Sequence, residues 1–218
     1  MIGISQEIRI IFPGICIGYL AGLVNNSENQ PEVWSLVESR SREIISTLNA
    51  ESIRRIEGIR LGKQAYRELG KDPNRYRLSA EALMRRLVKG QELFRINTVV
   101  DILNLVSLRT GMTIGGFDRT LITGDIELGI GKSGEEFEAI GRGAMNVSQL
   151  PVYRDGLGVI GSPTSDCMRT RIRLETHSIL MLVTGFYGPV PVEKVIDELA
   201  GLYSKHCNLT DESLGIIK

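Results

Sequence analysis

Residues 97–110 carry Val99, Val100, Ile102, Leu103, Leu105 and Val106, with Asp101 and Arg109 as the only charges among them. Asn97 is a suitable cap before this run and Gly111 a suitable stop after it. A helix so apolar around most of its circumference has to be buried, so the rest of the chain must be arranged to cover it. Asn104 lies inside this run. A buried amide has four hydrogen-bonding positions, and leaving them unmet costs about 1–3 kcal/mol. Such an Asn is either tied to a nearby loop or aimed at a ligand.

The segments on either side differ in character. Before it, residues 8–23 alternate through Ile15, Ile17 and Tyr19 and read as a strand or two. Pro31 suits the first turn of a helix with Val33, Val37, Ile44 and Leu48 at helical spacing. A second helix is expected from Ser52 toward Leu69, stopping at Gly70, and a third from Ser79 through Leu83 and Leu87 to Gly90. After Gly111 the pattern becomes short apolar runs punctuated by Gly: Ile126, Leu128 and Ile130, then Phe137 and Ile140, Val159 and Ile160, and finally 179–183. These read as strands of an antiparallel or mixed sheet, and 192–203 closes the chain as an amphipathic helix through Val195, Leu199 and Leu202. With no repeat and no long linker, one α+β domain over residues 1–218 is the economical expectation.

Several function classes recede on composition. No apolar run approaches the roughly 20 residues that cross a bilayer, so no membrane partner is expected. The first nine residues lack the basic start and long apolar stretch of a secretory leader, and Cys16, Cys167 and Cys207 are too few for a disulfide framework. A cytoplasmic protein with reduced thiols is expected. Two His residues, His177 and His206, with no paired ligand motif make a metal site unexpected, and nothing in the chain implies a cofactor.

The net charge of zero, 26 Lys and Arg against 26 Asp and Glu, looks unsuited to a polyanionic partner. It is unevenly spread, however. Residues 51–100 hold twelve Lys and Arg against six acids, a net of +6, which leaves −6 for the remainder. This basic segment reads either as the solvated faces of two helices or as a surface that meets phosphates. Arg85, Arg86, Lys89 and Arg95 cluster around one helix end and favour the second reading. Arg169, Arg171 and Arg173, at strand spacing, would project three guanidinium groups from one face, toward either a phosphate chain or solvent.

Other motifs fail their context. Residues 129–134 match Gly-x-Gly-x-x-Gly, but no helix follows, and the Gly that a phosphate loop requires is Ile126. They read as a loop between strands. Cys167 and His177 lack an orienting third group. Asp118, Asp125 and Glu127 read as turn and surface residues rather than metal ligands.

The run Tyr76-Arg77-Leu78-Ser79, the segments 81–90 and 96–106, and Gly115-Gly116-Phe117-Asp118 together resemble the B3/B4 domain. Gly158-Val159-Ile160-Gly161 and Glu175-Thr176 add to the likeness, which covers residues 62–207. This is the editing, or tRNA-binding, domain of the bacterial phenylalanyl-tRNA synthetase beta subunit, and the chain looks like a free-standing version. The resemblance implies a helical N-terminal half on a mixed β-sandwich, with a pocket for the aminoacylated 3′ end of tRNA and no role for DNA. It implies hydrolysis of a mischarged ester through placement of water and substrate, with no strong protein base.

Carried over by position, Asn104 and Thr176 would place substrate and water, and Gly115, Gly116, Gly158, Gly161 and Leu182 would line the substrate. Arg85, Arg86, Lys89, Arg95, Arg169, Arg171 and Arg173 would hold the RNA. The chain also departs from the family: the pocket His falls at Gly115, the Thr beside the pocket Asn is Leu103, and the acid that reads the tyrosine hydroxyl falls near Leu182. A pocket for an apolar or otherwise different amino acid is therefore expected, because a hydroxyl facing Leu is left unpaired. The competing expectations are a module that binds tRNA or an amino-acid-like ligand without turnover, and a hydrolase of small amino-acid esters or amides.

Overall fold

Residues 178–185, Ser-Ile-Leu-Met-Leu-Val-Thr-Gly, are buried along their whole length. Successive side chains of a strand point to opposite faces, so a strand buried on both must lie inside a sheet that is covered on both sides. That is its place here. Ile179, Met181 and Val183 enter one core with the helices, while Leu180 and Leu182 enter a second core between two sheets.

The computed structural model describes residues 1–218, the side chain of Val190 excepted. In chain order the elements are β1 (Ile2–Ile4), α1 (Gln6–Ile11), β2 (Cys16–Leu23), α2 (Pro31–Thr47), α3 (Ala50–Arg55), α4 (Glu57–Glu68), α5 (Ser79–Val88) and α6 (Thr98–Thr110). There follow β3 (Ile114–Asp118), β4 (Ile126–Ile130), β5 (Glu138–Ala139), β6 (Gly143–Ala144), β7 (Pro151–Asp155), β8 (Gly158–Ser162) and β9 (Ser165–Asp166). The chain ends with β10 (Ser178–Gly185), α7 (Val190–Cys207) and β11 (Thr210–Ile217).

Four strands in the order β11-β2-β10-β3 form an antiparallel sheet, and five in the order β1-β4-β7-β8-β9 form a mixed one in which β1 runs parallel to β4. Their facing sides pack Ile17, Phe117, Leu128, Tyr153, Ile160 and Leu182 into the sandwich core. Helices α2, α6 and α7 cover the outer face of the four-stranded sheet, where Val99, Ile102, Leu105 and Val106 of α6 are fully buried. A third core joins α2 to α6 with Val152 and Val159 on the other face of the five-stranded sheet. The architecture is thus α+β, with a helical N-terminal region on a mixed β-sandwich.

Helix α6 is bounded as its sequence suggests: the Asn97 side chain accepts the Val100 N–H at 3.1 Å, and Gly111 ends the helix with φ of 72°. The expected helix from Ser52 to Leu69 is instead two, broken at Ile56. The break lays Gly58 against the Gly111 backbone so closely that a Cβ on Gly58 would stand 2.8 Å from the Gly111 carbonyl. Residues 8–11, read as part of a strand, instead belong to a helix over 6–11, because the Ser5 hydroxyl caps the Ile8 N–H and Pro13 separates this turn from β2. Residues 169–173 are not a strand; only Arg171 bridges to Phe117, and the Thr170 carbonyl accepts the Asp118 N–H at 2.9 Å. Three residues at alternate positions consequently need not share a face, and here they do not.

Candidate functional site

Helix α5, the segment leading into α6, α6 itself, β3 and the β8–β9 hairpin enclose a cleft of about 950 Å³. Val100, Leu103 and Asn104 reach it from α6 because positions three and four apart share one helical face. Ile114 and Gly116 come from β3, Ser162 and Asp166 from β8 and β9, and Ile172 from the chain beyond. Gly116 leaves room for the apolar wall: a Cβ there would lie 2.6 Å from Leu103 Cδ1 and 3.2 Å from Ile172 Cδ1. Asn104 is half-buried, and its amide makes no hydrogen bond within the chain among the described residues.

Charge on the lining is strongly asymmetric. Arg77, Arg85, Arg86 and Lys89 line it on the α5 side, with Arg142, Arg171 and Arg173 across from them. Asp166 is the single acid among the lining residues. Phe94, 66% exposed, stands at the edge with the Arg86 guanidinium 4.1 Å from its ring centroid. A cation-backed exposed aromatic of this kind is a platform on which a nucleobase can stack.

Asp166 is set among glycines. Its Oδ2 accepts the Gly116 N–H at 3.1 Å. Its Oδ1 lies where side chains on Gly161 and Gly115 would otherwise be, 2.8 and 3.4 Å from the Cβ each would carry. Oδ1 has no hydrogen-bond partner among the described residues and keeps contact with solvent. Burial pushes the carboxyl up to about 7, against the opposing pull of the Gly116 N–H. No Lys or Arg forms an ion pair with it among the described residues.

Of the residues singled out from sequence, Asn104, Gly116, Arg85, Arg86, Lys89, Arg171 and Arg173 come together on this cleft. Gly115 and Gly161 lie behind its floor, each against Asp166 and the Phe117 ring. Gly158, with φ of 131°, is at the far end of β8, about 13 Å along the strand from Ser162. Leu182 is opposite Gly115 but faces the sandwich core. Thr176 is buried and already occupied: its hydroxyl donates to Asp118 Oδ2 at 2.6 Å and accepts the Arg173 N–H at 2.9 Å. Arg169 forks onto Asp155 at 2.7 and 2.9 Å, away from the cleft lining. Arg95 lies over Trp34, 4.5 Å from the ring centroid, and within 3.4 Å of Glu38. Neither Cys167 nor His177 lines the cleft.

Sequence reasoning passed over Asp166, Phe94 and a second, smaller cleft of about 180 Å³ lined by Arg54, Arg60, Lys63, Arg67 and Asn74. The two clefts meet across Glu81. This fully buried carboxylate takes Lys63 Nζ at 3.1 Å on one oxygen and Arg85 Nε at 2.7 Å on the other.

The B3/4 domain family matches residues 62–206, about two thirds of the chain. The chain belongs to the B3/4 domain family. Every residue lining the large cleft falls inside that match, whereas α1, α2, α3, β1, β2 and β11 lie outside it. A comparison with curated protein sequences finds no significant match. Among solved structures, the B3/4 chain is similar to an N-terminal fragment of the phenylalanyl-tRNA synthetase beta subunit from Pyrococcus horikoshii, with 13% identity and a TM-score of 0.47. The match covers 99% of this chain and 50% of the other, so this chain spans about half the length of that one.

Proposed function

We propose that the large cleft receives the aminoacylated 3′ end of a tRNA and that the protein hydrolyses the ester of mischarged tRNA in trans. The observation that carries the proposal is the cleft's make-up: cations around its mouth, an exposed aromatic at its edge and an unpartnered Asn104 amide in an otherwise apolar wall. Phosphates would meet Arg86, Lys89 and Arg171, and the terminal base would stack on Phe94. The Asn104 amide would hold the ester carbonyl or the attacking water, and the basic cleft of Arg54, Arg60 and Arg67 would continue the backbone track. Leu103 and Ile172 beside the substrate favour an amino acid other than tyrosine. A cytoplasmic location goes with such a substrate.

The test is deacylation of a panel of correctly and wrongly charged tRNAs, with Asn104→Ala alongside. Turnover of at least one wrongly charged member, slowed tenfold or more in the variant, is expected. A second reading, a module that binds without turnover, is favoured by one feature: among the described residues no nucleophile with a hydrogen-bonded base lines the cleft. Binding of charged tRNA with no release from any member of the panel would establish it.

A further inference from the structure

The cleft carries seven cations at its mouth and one carboxyl in its floor. Asp166 has a free, solvent-open oxygen, and its surroundings are built around that oxygen rather than around a neighbouring cation. Glycines at 115 and 161, brought from different sheets, make the space it occupies, and the Gly116 N–H fixes its other oxygen. Elsewhere both oxygens of each buried acid are partnered: in Glu81 by Lys63 and Arg85, in Asp155 by Arg169, in Asp101 by the Trp34 indole and the Ile96 N–H, and in Asp118 by the Thr120 and Thr176 hydroxyls. Asp166 alone among these is left to be completed from outside.

We infer that the floor of the cleft is an ammonium-binding site in which Asp166 accepts a primary amine of the ligand. The ligand would then carry phosphate at one end, against the arginines, and a cationic nitrogen at the other. An aminoacyl ester of a nucleotide has that distribution of charge, so the inference deepens the deacylase reading and rests on it for the identity of the phosphate-bearing part. The amine can come from the α position or from a basic side chain. A charge-assisted hydrogen bond to a partly desolvated carboxyl discriminates by about 10- to 100-fold against a ligand that lacks the donor.

Because amides are not turned over as esters are, 3′-aminoacylamido-3′-deoxyadenosine 5′-phosphates serve as probes. Titration calorimetry would compare leucyl, phenylalanyl, seryl and lysyl members, each with a free and an N-acetylated α-amine. The expected result is a loss of at least tenfold on acetylation, and little or no preference for the free amine in Asp166→Asn. Retained binding by Nα-acetyl-lysyl alone would assign the site to a side-chain amine; loss in every member would assign it to the α-ammonium. Equal binding of free and acetylated forms to the wild-type protein, an undiminished preference in Asp166→Asn, or no binding by any free-amine member overturns the inference. Amine-selective binding without deacylation of any tRNA would instead remove the deacylase reading and leave the ammonium site standing.

Discussion

Replacing Glu81 with Leu should destabilise the protein severely, for a reason readable from three side chains. Glu81 is 1% exposed and Lys63 4%, so the carboxylate and the ammonium are both withdrawn from water. Lys63 Nζ has the two Glu81 oxygens at 3.1 and 3.4 Å, and beyond them only the Pro73 carbonyl at 3.3 Å and Asn74 Oδ1 at 3.5 Å. Burial already pulls the Lys63 ammonium below its usual range, and Glu81 is the group that resists this. Removing one partner of a buried pair costs about 3–5 kcal/mol, because the survivor keeps its desolvation penalty. Against a typical stability of about 5–15 kcal/mol this is a large fraction. In equilibrium urea unfolding, with a slope of about 2 kcal/mol per molar, the midpoint should fall by about 2 M. The double variant Lys63→Met, Glu81→Leu should recover much of the loss, since it removes the buried ammonium and leaves only Arg85, which reaches the cleft, without its carboxylate. A single-variant loss below about 1 kcal/mol, or a double variant no better than the single, would refute the reasoning.

Asp166 should impose a pH dependence of opposite sign to that of a paired carboxylate. Its folded-state value of about 7 exceeds the unfolded value of about 3.9, so the folded chain holds a proton that the unfolded chain releases. Stability should therefore fall as pH rises from about 4 to 7, by up to about 4 kcal/mol, and Asp166→Asn should remove that slope; parallel unfolding profiles for the two proteins would contradict it. Gly161→Ala places a Cβ 2.8 Å from Asp166 Oδ1 and 2.9 Å from the Phe117 ring, an overpacking worth about 1–3 kcal/mol that thermal unfolding should register. Phe94→Ala should weaken binding of tRNA by about tenfold or more without altering its salt dependence, as loss of a stacking surface does. Lys89→Gln should do the converse, lowering the slope of log affinity against log salt by somewhat under one, and filter binding across a salt series separates the two.

Helix α6 was legible because its signal is local: an apolar run, an Asn cap and a Gly stop lie within fifteen residues. The strand at 179–183 was legible for the same reason, though a continuous apolar run does not tell which side chain enters which of the two cores. Helix α1 was not, since six residues rich in Ile fit either period and the deciding bond is a single Ser5 cap. Strand β11 escaped notice because it pairs at the edge of its sheet, with its first five residues exposed, and so shows no apolar alternation. In the cleft, Asn104 stood out as an amide in an apolar run, while Asp166 sits in a Ser-Pro-Thr-Ser-Asp stretch that reads as an ordinary turn. Its setting depends on Gly115, 51 residues away, and on Gly161, which a sequence cannot bring together. Arg169, Arg171 and Arg173 show the same limit: their spacing is equal, yet Asp155 claims the first and the cleft takes the other two.

On the proposed function, the cleft between α5, α6, β3 and β9 holds the aminoacylated end of a tRNA. A crystal structure with a 3′-aminoacylamido-3′-deoxyadenosine 5′-phosphate tests it most directly. The base should lie against Phe94, the phosphate among Arg86, Lys89 and Arg171, the amide within hydrogen-bonding distance of Asn104 and the amine about 3 Å from Asp166. A ligand seated outside the cleft, or inside it with its amino acid turned away from Asn104 and Asp166, would contradict that role for the cleft.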